Sequence, residues 1–349
     1  MPYRTTNEEA NEAIMEAVEA LDLEDPELKS YVRQIMVTGG KLSNDDAGAL
    51  EMKMLTNSIK EIRYAFQIFQ EYRGRRKISV FGSARKQPED QSYQDAEQFS
   101  RLAAEDDYML ISGAGPGIME AVNKGAGAEN SFGLHITLPF EDRPNRYIRG
   151  DDKCIHFRYF FSRKLLFAKE ADAVVIFPGG LGTHDEFMEL MTLLQTGRQH
   201  LLPLVLIDRD GFWGNFITYM KDNLIEAGTI SETDMNLFDY VQKPDEALAS
   251  INRFYSNFHS GRYVEEHFVV RLWEPPTTAQ QRELEDEFRD LCPETGFRLQ
   301  QGPLDGEEPG SPETLYRLVF SFSSLDYGRL RKMIDFINSW NGDDRKSSE

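Results

Sequence analysis

The 349-residue chain holds two cysteines, six histidines and no long apolar run. Cys154 and Cys292 stand far apart without a CxxC spacing. Neither a disulfide framework nor a zinc site is expected from them. The histidines show no ligand spacing, and no metal or cofactor is assigned. No stretch reaches the ~20 apolar residues that a membrane-spanning helix requires, so no membrane partner is expected. Positive charge is also scarce: 39 Lys and Arg stand against 59 Asp and Glu, a net charge of −20. Binders of DNA or RNA present a basic face, which excludes a nucleic-acid polymer as partner. A small anionic ligand stays compatible where local Arg, Lys and helix termini overcome the global field. Residues 1–25 are acidic and polar, unlike a signal or transit peptide, and a cytoplasmic protein is expected.

What the chain does have is a change of rhythm in three zones, within a length that suggests two to three domains. Residues 1–76 read as a helical extension. Ile14, Val18 and Leu21 recur at helical spacing over 7–21, as do Leu50, Met54, Ser58, Ile62, Phe66 and Phe69 over 50–69. Gly39, Gly40 and Ser43-Asn44-Asp45 punctuate between them. Residues 77–260 alternate strand and helix. Strands are expected at 77–81, 108–112, 132–138, 173–177, 202–207 and near Val241, with helices at 93–105, 118–128, 160–170, 187–194, 212–223 and 245–258. That alternation predicts an α/β fold with a doubly wound, Rossmann-like parallel sheet, whose ligands sit at the carboxyl ends of the strands. Residues 261–349 read as a small β-α-β-β-α module with a charged tail, regulatory or dimerising.

The most informative stretch is Pro178-Gly179-Gly180-Leu181-Gly182-Thr183-His184-Asp185-Glu186. It follows Ala173-Val174-Val175-Ile176-Phe177, an apolar β-branched run, and precedes a helix-period pattern. A glycine-rich turn between strand and helix seats an anion, because the backbone comes close and the helix N-terminus offers unpaired N–H groups. Phosphate binding does not require an acid one step into that helix. By its residues alone Glu186 reads in two ways: a carboxylate answering the helix dipole, or one that handles an oxocarbenium-like transition state or an attacking water. Arg163-Lys164, on the preceding helix, likewise read either as a solvated helix end or as a fork and a point charge for phosphate.

Gly113-Ala114-Gly115-Pro116-Gly117 invites a dinucleotide fingerprint, but Ile118 occupies the third glycine's place and no acid clearly ends the next strand. The turn reads better as a second wall of a nucleotide pocket. Met119, Phe160 and Phe161 are apolar candidates for its lining.

Taken together these motifs closely resemble the LOG (Lonely Guy) family of nucleoside 5′-monophosphate phosphoribohydrolases, long mislabelled as lysine decarboxylases. The family pattern is an arginine–lysine pair on a helix followed by PGGxGTxxE, matched here by Arg163-Lys164 and by Pro178 to Glu186. Similar stretches are Val80-Phe81-Gly82-Ser83-Ala84-Arg85, Gly115 to Ala121, Leu138-Pro139-Phe140-Glu141, Phe157 to Phe161 and Gln195-Thr196-Gly197. The resemblance implies cleavage of the N-glycosidic bond of a nucleotide such as AMP, releasing the base and ribose 5-phosphate. It implies Arg163 and Glu186 as the catalytic pair. It implies a substrate site from Gly82, Ser83, Gly113, Gly115, Gly117, Met119, Lys164, Gly179, Gly180, Gly182 and Thr183, and a homodimer or larger assembly. A non-catalytic nucleotide or cofactor carrier on the same fold is the alternative, though a carrier has no need of the Arg163–Glu186 pair. Many relatives carry three glycines at the second turn; Ala114 replaces the middle one and is expected to tighten the pocket. Lysine decarboxylation needs a pyridoxal phosphate lysine, for which no constellation is visible.

Overall fold

Short apolar runs that end in glycine-rich turns become buried parallel strands, because only a sheet covered on both faces hides them. The structure is a computed structural model. It describes residues 3–45, 47–137, 143–308 and 310–341. The motif at 138–141 and the charged tail lie outside the described residues. The chain divides into two units, 1–63 and 64–349.

The first unit holds α1 (Glu8–Glu19), α2 (Pro26–Asn44) and most of α3 (Ala49–Gln70). Asn7 caps α1 through the N–H of Ala10. Asp25 caps α2 through the N–H groups of Glu27 and Leu28, with Pro26 in the first turn. Gly39 and Gly40 do not interrupt: they lie inside α2. A Cβ at Gly40 would stand 3.1 Å from Thr5 Cγ2, so a glycine lets the N-terminal segment cross the helix closely. That packing offsets the ~1 kcal/mol a helical glycine costs. The expected stripe of α3 is only half realised. Ser58 and Phe69 are buried, whereas Leu50, Met54 and Phe66 are exposed.

The second unit opens with β1 (Lys77–Phe81), α4 (Gln91–Glu105), β2 (Met109–Ser112), α5 (Ile118–Ala126), β3 (Ser131–Ile136) and β4 (Cys154–Phe157). It continues through α6 (Phe160–Lys169), β5 (Ala173–Ile176), α7 (Leu181–Gln195), β6 (Leu204–Ile207), α8 (Phe212–Tyr219), β7 (Asp239–Val241) and α9 (Pro244–Phe254). The sheet order is β4-β3-β2-β1-β5-β6-β7, and every pairing is parallel. This is the α/β, doubly wound architecture, with the winding reversing between β1 and β5. Ile78 and Val80 face α4, α5 and α9 across the main core, with Phe99, Ile118 and Ile251 among their neighbours. Ser79 and Phe81 face the other way: Ser79 Oγ donates to the Phe167 carbonyl, and the Phe81 ring lies 4.8 Å from that of Phe167 on α6. β4 escapes a pattern search because four residues with His156 exposed give no usable period.

A second sheet follows, antiparallel, in the order β10-β11-β9-β8. It comprises β8 (Phe258–Val264), β9 (His267–Leu272), β10 (Arg298–Gln301) and β11 (Tyr316–Phe320), with α10 (Thr278–Phe288) and α11 (Tyr327–Asn338). Helix α9 stops at Phe254 rather than running to Phe258, and β8 adds a strand that the sequence pattern hides behind Gly261. Asn338 at the end of α11 accepts from the N–H groups of Asn257 and Phe258 and donates to the Phe254 carbonyl. One buried amide thus ties α11 to the α9–β8 junction.

Candidate active site

Reversal of winding between β1 and β5 splays their following loops apart and opens a cleft at the carboxyl ends of the strands. Its volume is about 1350 Å³. Three turns make its floor. The Ser83 N–H donates to the Pro178 carbonyl at 3.2 Å, which ties the β1 turn to the β5 turn. The Ile118 N–H donates to the Ser83 carbonyl at 3.0 Å, which ties in the turn after β2.

The glycines of these turns fall into two kinds. Gly117 sits at φ +67°, where a Cβ would collide with the Ser83 carbonyl. Gly179 has no room because Thr183 Oγ1 presses on it. Gly82 meets the Ile118 side chain, Gly113 meets Arg163 Nη2 and Met119 Sδ, and Gly115 meets Met119 Cε. Those positions are glycine because the protein itself fills the space. Gly180 and Gly182 have nothing within 4 Å of such a Cβ, yet both line the cleft. Nothing in the fold forbids a side chain there; the space beside both is open.

Helix α7 starts at Leu181, and no side chain caps it. The N–H groups of Thr183 and His184 turn back to the Gly180 carbonyl, which leaves those of Leu181 and Gly182 for a ligand or water, at the positive end of the helix dipole. Thr183 is buried and lines the cleft, its N–H turned back to the Gly180 carbonyl at 3.0 Å. His184 is a structural residue. Nδ1 lies 3.0 Å from the Gly180 carbonyl, and the ring sits among Phe212, Trp213 and Phe216.

Arg163 comes from α6. Strand β2 ends at Ser112, paired with Gly133, so Leu134, the next residue of β3, has no strand partner on its β2 side. Arg163 Nε donates to that carbonyl at 2.7 Å, and its guanidinium lies over the Phe167 ring with 5.2 Å to the centroid. Glu186 reaches the cleft from the first turns of α7. Burial pushes its carboxyl up to about 7; Glu189 and Asp185 add to the rise, while Lys164 and Arg163 oppose it. A carboxyl near neutrality can hold or release a proton at working pH. Lys164 is not among the residues lining the cleft. Its Nζ is held by Asp185 at 2.9 Å and Glu189 at 2.6 Å, so it fixes α6 against α7 beside Glu186.

Gly82, Ser83, Gly113, Gly115, Met119, Arg163, Gly180, Gly182, Thr183 and Glu186 all line this one cleft, while Gly117 and Gly179 shape its floor from behind. Phe160 lines it too; Phe161 stacks on Tyr159 instead. The Ala114 methyl does not tighten the pocket. Ala114 is fully buried at φ +59°, packed with Ile148 and Cys154 behind the turn. Sequence reasoning missed His135, Asn145 and the arginines Arg143, Arg146 and Arg149, all of which line the cleft. Asn145 is buried, takes its N–H to the Ala114 carbonyl at 2.7 Å, and donates Nδ2 to Gly115 O and to Asn123 Oδ1. Asn123 in turn bonds Ser112 and Ser131. Only the arginine spacing carried a sequence signal; a buried amide network has none.

Known proteins resemble this chain in the same region. Residues 119–251 match the family described as "possible lysine decarboxylase". The cytokinin riboside 5′-monophosphate phosphoribohydrolase LOG3 of Arabidopsis thaliana is 30% identical over 166 residues, 45% of this chain and 73% of that protein. The probable cytokinin riboside 5′-monophosphate phosphoribohydrolase LOG4 of Oryza sativa subsp. japonica is 27% identical over 179 residues, 50% of this chain and 76% of that protein. Among solved structures, the molybdenum cofactor carrier protein of Chlamydomonas reinhardtii is 18% identical with a TM-score of 0.37, over 51% of this chain and 97% of that one. A likeness that slight says nothing of what either protein binds. With the motif pair, the cleft and these relatives in agreement, the chain belongs to the LOG family.

Proposed function

We propose that the protein hydrolyses the N-glycosidic bond of a nucleoside 5′-monophosphate, AMP or a close analogue, to the free base and ribose 5-phosphate. The observation that carries this reading is a half-buried carboxyl, Glu186 held near neutrality, in one cleft with an uncapped helix N-terminus and Arg163. The names of its relatives point to the same bond. In the reaction the C1′–N bond breaks, water supplies hydroxyl to C1′, and a proton goes to the departing base. The α7 turn from Gly180 to Thr183 receives the 5′-phosphate on its open N–H groups. Glu186, ionised, offsets the positive charge growing at C1′ and orients the water. Arg163, fixed by the Leu134 carbonyl, positions the ribose phosphate. Lys164 keeps Asp185 and Glu189 from pushing the Glu186 carboxyl higher still.

The test is incubation with a panel of nucleoside monophosphates, following base and ribose 5-phosphate by chromatography. Base release lost in Glu186→Gln supports the enzyme; binding without release across the panel supports a carrier and overturns it.

We further propose a homodimer or larger assembly. On α2, Leu28, Tyr31 and Ile35 form an exposed apolar row, and Phe160, Phe161 and Leu165 do the same on α6. Light scattering that finds a monomer at working concentration overturns this. The cytoplasmic assignment is supported by Cys154 and Cys292, both free, buried and pushed up to about 11 by burial. We assign the second sheet, with α10 and α11, a regulatory or dimerising role.

A further inference from the structure

The cleft has a wall that the mononucleotide reading leaves unused. Arg143, Arg146 and Arg149 recur every third residue and line the cleft, as does Arg85 from the turn after β1. The chain has 20 more acidic than basic residues (59 − 39), so a carboxylate is in ample supply for any arginine. Yet among the described residues none of these four forms an ion pair. Their hydrogen bonds go to neutral groups: Arg146 Nη2 to the Tyr147 hydroxyl at 2.7 Å, Arg149 Nε and Nη2 to the Pro144 carbonyl at 3.0 and 2.7 Å. An arginine cannot shed its charge by deprotonating, and the carboxylates that line the same cleft, Glu120, Asp185 and Glu186, form no ion pair with these four, which leaves the arginines open to an anion.

The wall is built rather than a loose surface loop. Asn145, between Arg143 and Arg146, is buried and bonded to Ala114 O and Gly115 O, which locks the arginine turn onto the floor. The strand order places that floor turn, after β2, on the far side of β1 from the α7 phosphate turn after β5. The cleft, at about 1350 Å³, also exceeds the upper range, roughly 1,000 Å³, of pockets for small ligands.

We infer that Arg143, Arg146, Arg149 and Arg85 form a second phosphate subsite, which takes a phosphate group beyond the 5′-phosphate seated at α7. The inference rests on the nucleotide reading above for the first phosphate only. The second phosphate belongs either to the same nucleotide, as in a nucleoside 3′,5′-bisphosphate, or to a separate inorganic phosphate or pyrophosphate bound beside it.

Calorimetry on the full chain tests it, comparing wild type with Arg143→Ala/Arg146→Ala; Arg149 is kept because it braces Pro144. Ribose 5-phosphate is added first to fill the α7 turn, then pyrophosphate is titrated; in parallel, adenosine 3′,5′-bisphosphate is compared with AMP. The subsite predicts that the double variant loses about tenfold or more in one of these responses. Ribose 5-phosphate affinity should stay unchanged, which shows the fold intact. Arg143→Lys/Arg146→Lys should recover part of the loss. A variant-sensitive pyrophosphate titration assigns a separate ion; a variant-sensitive preference for the bisphosphate assigns a group on the substrate. If neither response differs between wild type and variant, the inference falls. Failure of wild type to cleave any monophosphate sinks the nucleosidase reading instead, and leaves the pyrophosphate result standing on its own.

Discussion

On the proposed reading, Glu186 is where a single residue carries the most chemistry. Removing a general acid–base group typically costs on the order of 10²–10⁴ in rate, so Glu186→Gln should lose that much kcat with ribose 5-phosphate still bound. On the proposed mechanism the ionised form is the working one, so wild-type kcat should fall as pH drops through about 7. Stability runs the opposite way. The folded-state carboxyl titrates above its unfolded value of 4.5, so its stabilising contribution is full below that value and is lost as pH rises through about 7. Glu186→Gln should therefore be more stable than wild type at pH 8, by ~1–2 kcal/mol after allowing for partial solvent screening. The two should converge near pH 4.5. Urea denaturation at both pH values checks the sign; a less stable variant at pH 8 contradicts the burial argument. The two kinds of glycine give a matched test. Gly180→Ala, in open space, should leave the melting temperature within about 2 °C while weakening phosphate binding about tenfold. Gly117→Ala, at φ +67° against the Ser83 carbonyl, should cost ~2–4 kcal/mol whatever the ligand.

At the scale of elements, positions in the cleft are set by where strands stop. β2 ends one step before β3 presents the Leu134 carbonyl, and Arg163 occupies the gap that a longer strand would close. The turn after β2 is held from behind by the chain of buried side chains Ser112, Asn123, Ser131 and Asn145. Breaking such a network leaves buried donors and acceptors unpaired, at ~1–3 kcal/mol for each group. Asn145→Leu should accordingly destabilise the chain by about 2–4 kcal/mol and loosen the arginine turn. Hydrogen exchange would show it as faster amide exchange over 143–150; unchanged protection there would mean that the turn is held by something else.

Over the whole second unit, two sheets of different kinds share one chain. The parallel sheet carries the cleft, and the antiparallel sheet meets it through α11 and Asn338. Asn338→Ala removes three buried hydrogen bonds and should cost ~2–4 kcal/mol. If the second sheet regulates or assembles the enzyme, this variant should also shift oligomer size by light scattering or change KM; stability loss alone, with both unchanged, argues for a purely structural module. Glu307 gives that sheet its own anchor. It is buried between Arg271 and Arg317, and these arginines, winning against burial, hold its carboxyl down at about 2. The contact thus survives well into acid, since a depressed carboxyl keeps its contribution until pH falls through that value.

The sequence by itself determined the α/β class, the order of most strands and helices and the PGGxGTxxE turn, each from local physics: apolar period and glycine at a turn. The Arg163–Glu186 pair came from the family resemblance, since by residue chemistry alone both side chains read equally well as structural. Where local signals mislead, packing had overruled them. Gly40 sits inside a helix where Thr5 crosses closely, and β8 forms despite Gly261 because β9 pairs with it. Lys164 was legible as a cation but not as one held by Asp185 and Glu189, and Ala114 as a substitution but not as one turned toward Ile148. Only the tertiary structure decided that the three turns close one cleft, that burial lifts Glu186 toward neutrality, and that Asn145 and the arginines face the ligand space. Desolvation and hydrogen bonding between residues thirty or more apart leave no period in a sequence; they exist only once the chain has brought those groups together.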